Sequence, residues 1–153
     1  MKIKIIAITD SDKHFSNAIS EYIKRLDKNI EIINIRPSKK DNPNEIITQD
    51  TDRIVLYLLD KSKDSTKILL TKDWKYYTTQ DIVKIITHDL QDGKDILFII
   101  WWPYGLDEWK LWWYVDDQIS FGKITMPHGL AKLVLLEQIY RSMQIINNKK
   151  YHY

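Results

Sequence analysis

The sequence predicts an α/β domain: a mainly parallel sheet with helices on both faces. Three observations carry this. Apolar runs of strand length recur at 2–8, 30–36, 66–71 and 95–100. The segments between them place apolar residues at helical spacing, and strands alternating with helices imply parallel pairing in a covered sheet. No internal repeat, low-complexity tract or long linker divides the chain, so residues 1–153 read as one domain.

The elements follow in order. Lys2–Ile8 is a buried first strand. Asp10, Ser11 and Asp12 offer N-caps to a helix over 13–26, with Phe15, Ile19, Tyr22, Ile23 and Leu26 as its core face. The second strand, 30–36, runs into a polar, mobile loop at Pro37–Pro43. Within 45–62, Ile46, Ile47, Ile54, Val55, Tyr57, Leu58 and Leu59 fit an amphipathic helix. The third strand, 66–71, ends in a turn at Lys72–Lys75. Thr78 or Thr79 caps a helix over 79–91, with Asp81 favoured by the dipole of its first turn and Gly93 suited to its end. After strand 95–100 come a bulky loop at 101–105, a helix, a second loop at 121–128 and a final helix from 130.

Composition narrows the function. Cysteine is absent, which excludes disulfides and zinc–cysteine sites. The net charge of +2 does not by itself argue for nucleic acid. No apolar run approaches the ~20 residues a membrane span needs, and the N-terminus lacks a signal-peptide cleavage site, so a cytoplasmic protein is expected. No G-x-G-x-x-G or G-x-x-x-x-G-K-[ST] is present, which counts against a generic nucleotide-binding enzyme. Glycine is scarce: usage of ~7% predicts about 11, and the chain has 4 beside 6 tryptophans. Two readings stay open. The tryptophans are authentic, or they are glycines from a lineage that decodes UGA as glycine.

Ligands of α/β sheets sit beyond the carboxyl ends of strands, which makes 101–105 and 121–128 the default site. The order of motifs there is specific. An apolar strand (Ile96–Ile100) leads into Trp101-Trp102-Pro103-Tyr104-Gly105. Then come Ser120 through Thr125, Met126-Pro127-His128, Glu137-Gln138-Ile139-Tyr140-Arg141 and Tyr151-His152. From Lys2 to His152 the chain resembles the RlmH family, SPOUT-class methyltransferases acting on a pseudouridine of 23S ribosomal RNA. The departure is Trp101-Trp102, where that family has two glycines; Trp74 also stands at a family glycine.

The resemblance implies a SPOUT-like α/β knot with a C-terminal trefoil knot, a homodimer, and no metal. It implies S-adenosyl-L-methionine as cofactor, held largely through backbone at Leu70, at Trp101, Trp102 and Gly105, and at Phe121, Gly122, Lys123, Ile124, Thr125 and Met126. It implies methyl transfer to the ring nitrogen N3 of the pseudouridine on the ribosome. His152 would be the general base, Tyr151 would meet the target base, and Arg141 would orient the RNA or the partner subunit. His128 and Lys132 would contact the RNA, Lys132 standing where the family usually has arginine. Simpler readings remain beside these. His128 suits a hydrogen-bonded structural residue. Glu137 and Arg141 are spaced to pair along one helix face. Two indoles in the cofactor loop suit a catalytically silent knot protein with a blocked pocket.

Overall fold

The computed structural model describes residues 1–9, 13–72, 74–100 and 104–149. Its elements are β1 (Ile3–Ile8), α1 (Ser16–Leu26), a 3-10 turn (Asp27–Asn29), β2 (Ile30–Ile35), α2 (Pro43–Lys61) and β3 (Ser65–Leu70). They continue as α3 (Thr79–Asp92), β4 (Asp95–Ile100), α4 (Glu108–Trp112), β5 (Asp117–Ile119) and α5 (His128–Ile146). One sheet holds the five strands in the order β2-β1-β4-β3-β5, with every pairing parallel.

Side chains alternate across a strand, and the two cores follow that period. Ile96, Phe98 and Ile100 of β4 face Ile19 of α1, Ile82 and Ile86 of α3, and Leu135, Leu136 and Ile139 of α5. Leu97 and Ile99 face Ile54, Val55 and Leu58 of α2 and Leu111 of α4. A strand buried on both faces must be apolar throughout, which is why 96–100 reads as an unbroken hydrophobic run. Each such aliphatic side chain contributes about 1.5–3 kcal/mol on burial.

Local chemistry sets the boundaries. Asn42 accepts from the Asn44 N–H with Pro43 at the first helical position, so α2 starts two residues before the expected 45. Thr78 and Asp81 form a reciprocal capping box on α3, and Gly93 ends that helix at φ 68°. α1 departs from expectation: it begins at Ser16, and its N-cap residue Phe15 makes no side-chain bond. Asp10, Ser11 and Asp12 lie outside the described residues. β5 was not expected, because Asp117-Gln118-Ile119 offers one apolar residue and is a strand only through its pairing with β3. The loop read as mobile is tied down. The Ser38 N–H donates to Asp50 Oδ1 at 2.8 Å, Ser38 Oγ meets Gln49, and the Asp50 side chain, carried by α2, is buried. Burial pushes the Asp50 carboxyl up in pKa, while the Ser38 N–H and Arg53 pull it back. Among the described residues no helix is long and apolar enough to cross a membrane.

Candidate functional site

A parallel sheet brings every carboxyl end to one side, and there the segments after β3 and β5 are joined. The Thr71 N–H donates to Ile119 O at 2.9 Å, Ser120 N–H to Lys75 O at 3.0 Å, and Tyr77 N–H to Ser120 O at 3.2 Å. Ser120, fully buried, completes the joint: its hydroxyl lies 3.0 Å from Lys72 O and accepts from the Gly122 N–H at 3.2 Å. Tyr77 adds an outer tie by donating its hydroxyl to the Asp117 carboxylate. Burial, and then that hydrogen bond, push the Tyr77 phenol up to about 12.

Between the joined segments lies a cavity of about 30 Å³, lined by Leu70, Thr71, Lys72, Phe121, Gly122, Ile124, Thr125, Met126 and Ala131. The structure thus brings together Leu70, Phe121, Gly122, Ile124, Thr125 and Met126 of the expected cofactor set. Lys123 is in the same loop and exposed. Gly122 (φ 130°) and Gly105 (φ 88°) hold backbone conformations that disfavour side chains, although a Cβ at either would meet nothing within 4 Å. Their need for glycine is therefore conformational rather than steric. The lining suits S-adenosylmethionine in chemistry: apolar side chains for a nucleoside face and a methyl group, with main-chain groups at the bends. The free volume suits water, since one water takes roughly 10–15 Å³ on this measure. The joined segments must part for a cofactor to enter. Trp101 and Trp102 lie outside the described residues.

The other expected residues separate. His128 opens α5, and its Nε2 lies 3.2 Å from Thr9 Oγ1 at the carboxyl end of β1. Lys132, one turn on, is fully buried with Nζ 3.4 Å from Asn34 Oδ1 of β2. In this arrangement the Lys132 ammonium links α5 to β2. Arg141 donates from Nε and Nη2 to Glu137 Oε1 at 2.9 and 2.6 Å, so the ion pair allowed by the spacing is formed. Arg141 lies ~20 Å along α5 from His128, at 1.5 Å per residue. One copy of the chain therefore does not bring it to the cavity. Tyr151 and His152 lie outside the described residues. Sequence reasoning passed over Ser120, Tyr77 and Asp117. Ser120 was the first residue of the recognised Ser-x-x-x-x-Thr-x-Pro-His run, so a signal existed; the Tyr77–Asp117 contact spans 40 positions and left none.

Two clefts frame the site. One of about 490 Å³ follows β2 at the same end of the sheet, lined by Arg36, Lys39, Lys40 and Arg53 with no carboxylate in its wall. Lys40 also pairs with Glu45 at 3.4 Å. A larger cleft, about 720 Å³, lies at the amino end of β3 and mixes Lys63, Lys67, Lys84 and Lys94 with Asp64, Asp89 and Asp116. Size favours the second cleft, but position and charge favour the first. Among the described residues no three His, Asp or Glu side chains are grouped to hold a metal.

Comparison with known proteins agrees with this arrangement. The family model described as "Predicted SPOUT methyltransferase" matches residues 1–152. The chain is 38% identical over 156 residues to "Ribosomal RNA large subunit methyltransferase H" of Mycoplasma capricolum, covering 99% of each. It is 36% identical to the "Putative ribosomal RNA large subunit methyltransferase H" of Methanococcus maripaludis, and 29% identical to the Chromohalobacter salexigens protein named ribosomal RNA large subunit methyltransferase H, again over 99% of each. With a parallel α/β sheet, loops joined at its carboxyl end and a match along nearly its whole length, this chain belongs to the RlmH family of SPOUT methyltransferases.

Proposed function

We propose that this protein transfers a methyl group from S-adenosylmethionine to N3 of a pseudouridine in 23S ribosomal RNA, acting on the ribosome as a knotted cytoplasmic homodimer. The observation that carries the reading is the Ser120-centred joint of the segments after β3 and β5, around an apolar cavity, in a chain matching the family over residues 1–152. When bound, S-adenosylmethionine supplies an electrophilic methyl on a sulfonium. The chain's part is to hold that methyl and remove a proton. Leu70, Phe121, Ile124 and Met126 exclude water from the transfer line. His128, tied to Thr9, fixes where α5 begins and hence the run 121–126 before it. His152 accepts the proton from pseudouridine N3, and Tyr151 packs on the base. Arg141 reaches RNA or the partner subunit, because in its own copy it lies far along α5 and paired to Glu137. Lys132 acts as a positioning residue.

The cavity volume of about 30 Å³ favours one second reading, a silent knot protein whose pocket is blocked. Calorimetric titration of S-adenosylmethionine into this chain and into a Trp74→Gly, Trp101→Gly, Trp102→Gly variant decides between them. Binding by either, with methyl transfer to large subunits carrying the pseudouridine, supports the enzyme. Binding by neither discards it for the silent reading.

A further inference from the structure

The four described tryptophans belong to neither hydrophobic core. Trp is among the most buried residue types on average, because one indole removes roughly 150–250 Å² from water. All four described tryptophans lie at the surface: Trp109 is 88% exposed, Trp113 83%, Trp112 47% and Trp74 43%. Three of them crowd onto α4 and its end, yet the buried residue of that five-residue helix is Leu111. Trp74 and Trp112 meet edge to face at 5.1 Å, so their ring contact is with each other. The remaining two, Trp101 and Trp102, directly follow β4 in the sequence and lie outside the described residues. No described tryptophan is part of either hydrophobic core.

The count points the same way. The shortfall of glycine against the ~7% average is close to the number of tryptophans, 6 against 4 glycines present. One cause accounts for both. UGA is a tryptophan codon in some lineages and a glycine codon in others, so a gene from the second kind read by the rule of the first loses glycines and gains tryptophans together.

We propose that Trp74, Trp101, Trp102, Trp109, Trp112 and Trp113 are glycines in the protein the cell makes, each encoded by UGA. The surface then loses four indoles that lie outside both hydrophobic cores. The loop after the central strand becomes bare main chain, which lets backbone approach a ligand closely. That last consequence rests on the cofactor reading above; the assignment of the residues does not.

The test needs no activity. The gene is sequenced, and the protein purified from its own cells is digested with trypsin and weighed. All six codons are expected to be TGA. The peptide 95–110 is expected lighter by three C9H7N units than the tryptophan form, and the peptide 111–123 by two. A TGG codon at any of the six positions, or either peptide at its tryptophan mass, overturns the proposal. If the residues prove to be glycine and the purified protein still fails to bind S-adenosylmethionine, the methyltransferase reading falls and the glycine assignment stands.

Discussion

Ser120→Ala tests whether the joined loops are the cofactor site. The hydroxyl makes one donated bond, shared between Lys72 O at 3.0 Å and Gly122 O at 3.2 Å, and accepts one from the Gly122 N–H. Two net hydrogen bonds contribute about 1 kcal/mol each. Stranding the Gly122 N–H adds little, because Gly122 is only half-buried and water reaches it. About 2 kcal/mol is therefore lost from the closed arrangement of 70–77 and 119–126. If S-adenosylmethionine binds between these loops, that loss appears as roughly 30-fold weaker affinity, at 1.4 kcal/mol per tenfold. Calorimetric titration in the six-glycine background, with thermal unfolding alongside, provides the measurement. The melting temperature should fall by roughly 4–8 °C, at about 2–4 °C per kcal/mol for a domain of this size. An affinity within twofold of the parent, with the expected drop in melting temperature, would mean that the joint is structural and the cofactor binds elsewhere.

Other tests are quicker. His152→Ala should lower turnover by about 10²–10⁴ with cofactor affinity unchanged, the range for a lost general base; single-turnover methyl transfer reads it. Tyr77 has a folded pKa raised to about 12 from an ordinary 10.0. Its stabilising contribution is therefore whole below pH 10 and lost as pH rises toward 12. It amounts to about 1–2 kcal/mol after allowance for partial exposure. Tyr77→Phe should remove that alkaline limb in denaturant melts run across this range. Thr78→Ala should cost about 1 kcal/mol by removing the α3 cap. Asp81, whose pKa is lowered first by its bond from the Thr78 hydroxyl, contributes stability above its unfolded pKa that is lost as pH falls through the folded one. Asp81→Asn should accordingly flatten the acid limb of the melting curve. Arg36→Ala with Lys39→Ala should reduce the salt slope of binding to unpaired rRNA by about 1–2, read by fluorescence titration at several salt concentrations.

Legibility in the sequence followed the physics of each element. β4 announced itself because a doubly covered strand must be apolar, as Ile96–Ile100 is, and β1 to β3 because each still carries an aliphatic run of strand length. Thr78, Asp81 and Gly93 marked both ends of α3 because caps are local. β5 was invisible because three residues with one buried aliphatic become a strand only when β3 supplies the partner edge. The start of α1 was misjudged because capping residues at 10–12 were available, while the helix begins at Ser16 without a side-chain cap. In the site, the loop sequences were legible and their joint was not. The Ser120 to Lys72 bond spans 48 positions, and no local pattern encodes it. The burial of Lys132 was illegible for a related reason: a lysine on a helix is ordinarily exposed, and its contact with Asn34 spans 98 positions.

The placement of charge then says how a substrate would approach. The cleft of Arg36, Lys39, Lys40 and Arg53 follows β2, and the cavity follows β3. The sheet order separates those strands by three steps, ~14 Å at 4.8 Å per step. Both open on the same side because every strand is parallel, so an extended polyanion held in the cleft passes across the ends of β1 and β4 to reach the cavity. His128 and Thr9 stand on that line, joined at 3.2 Å. The larger cleft at the other end of β3 offers no such route, since its lysines face carboxylates and the sheet lies between it and the cavity. Arg141 is on neither path in its own copy. In the proposed homodimer, a guanidinium ~20 Å along α5 from His128 would serve the reaction from across the two-fold interface or by holding RNA outside the cavity. Loss of methyl transfer in Arg141→Ala, rescued by mixing with a His152→Ala chain in the same dimer, would therefore assign the residue to its partner's site. Failure of that rescue would leave Arg141 as the helix-stabilising partner of Glu137.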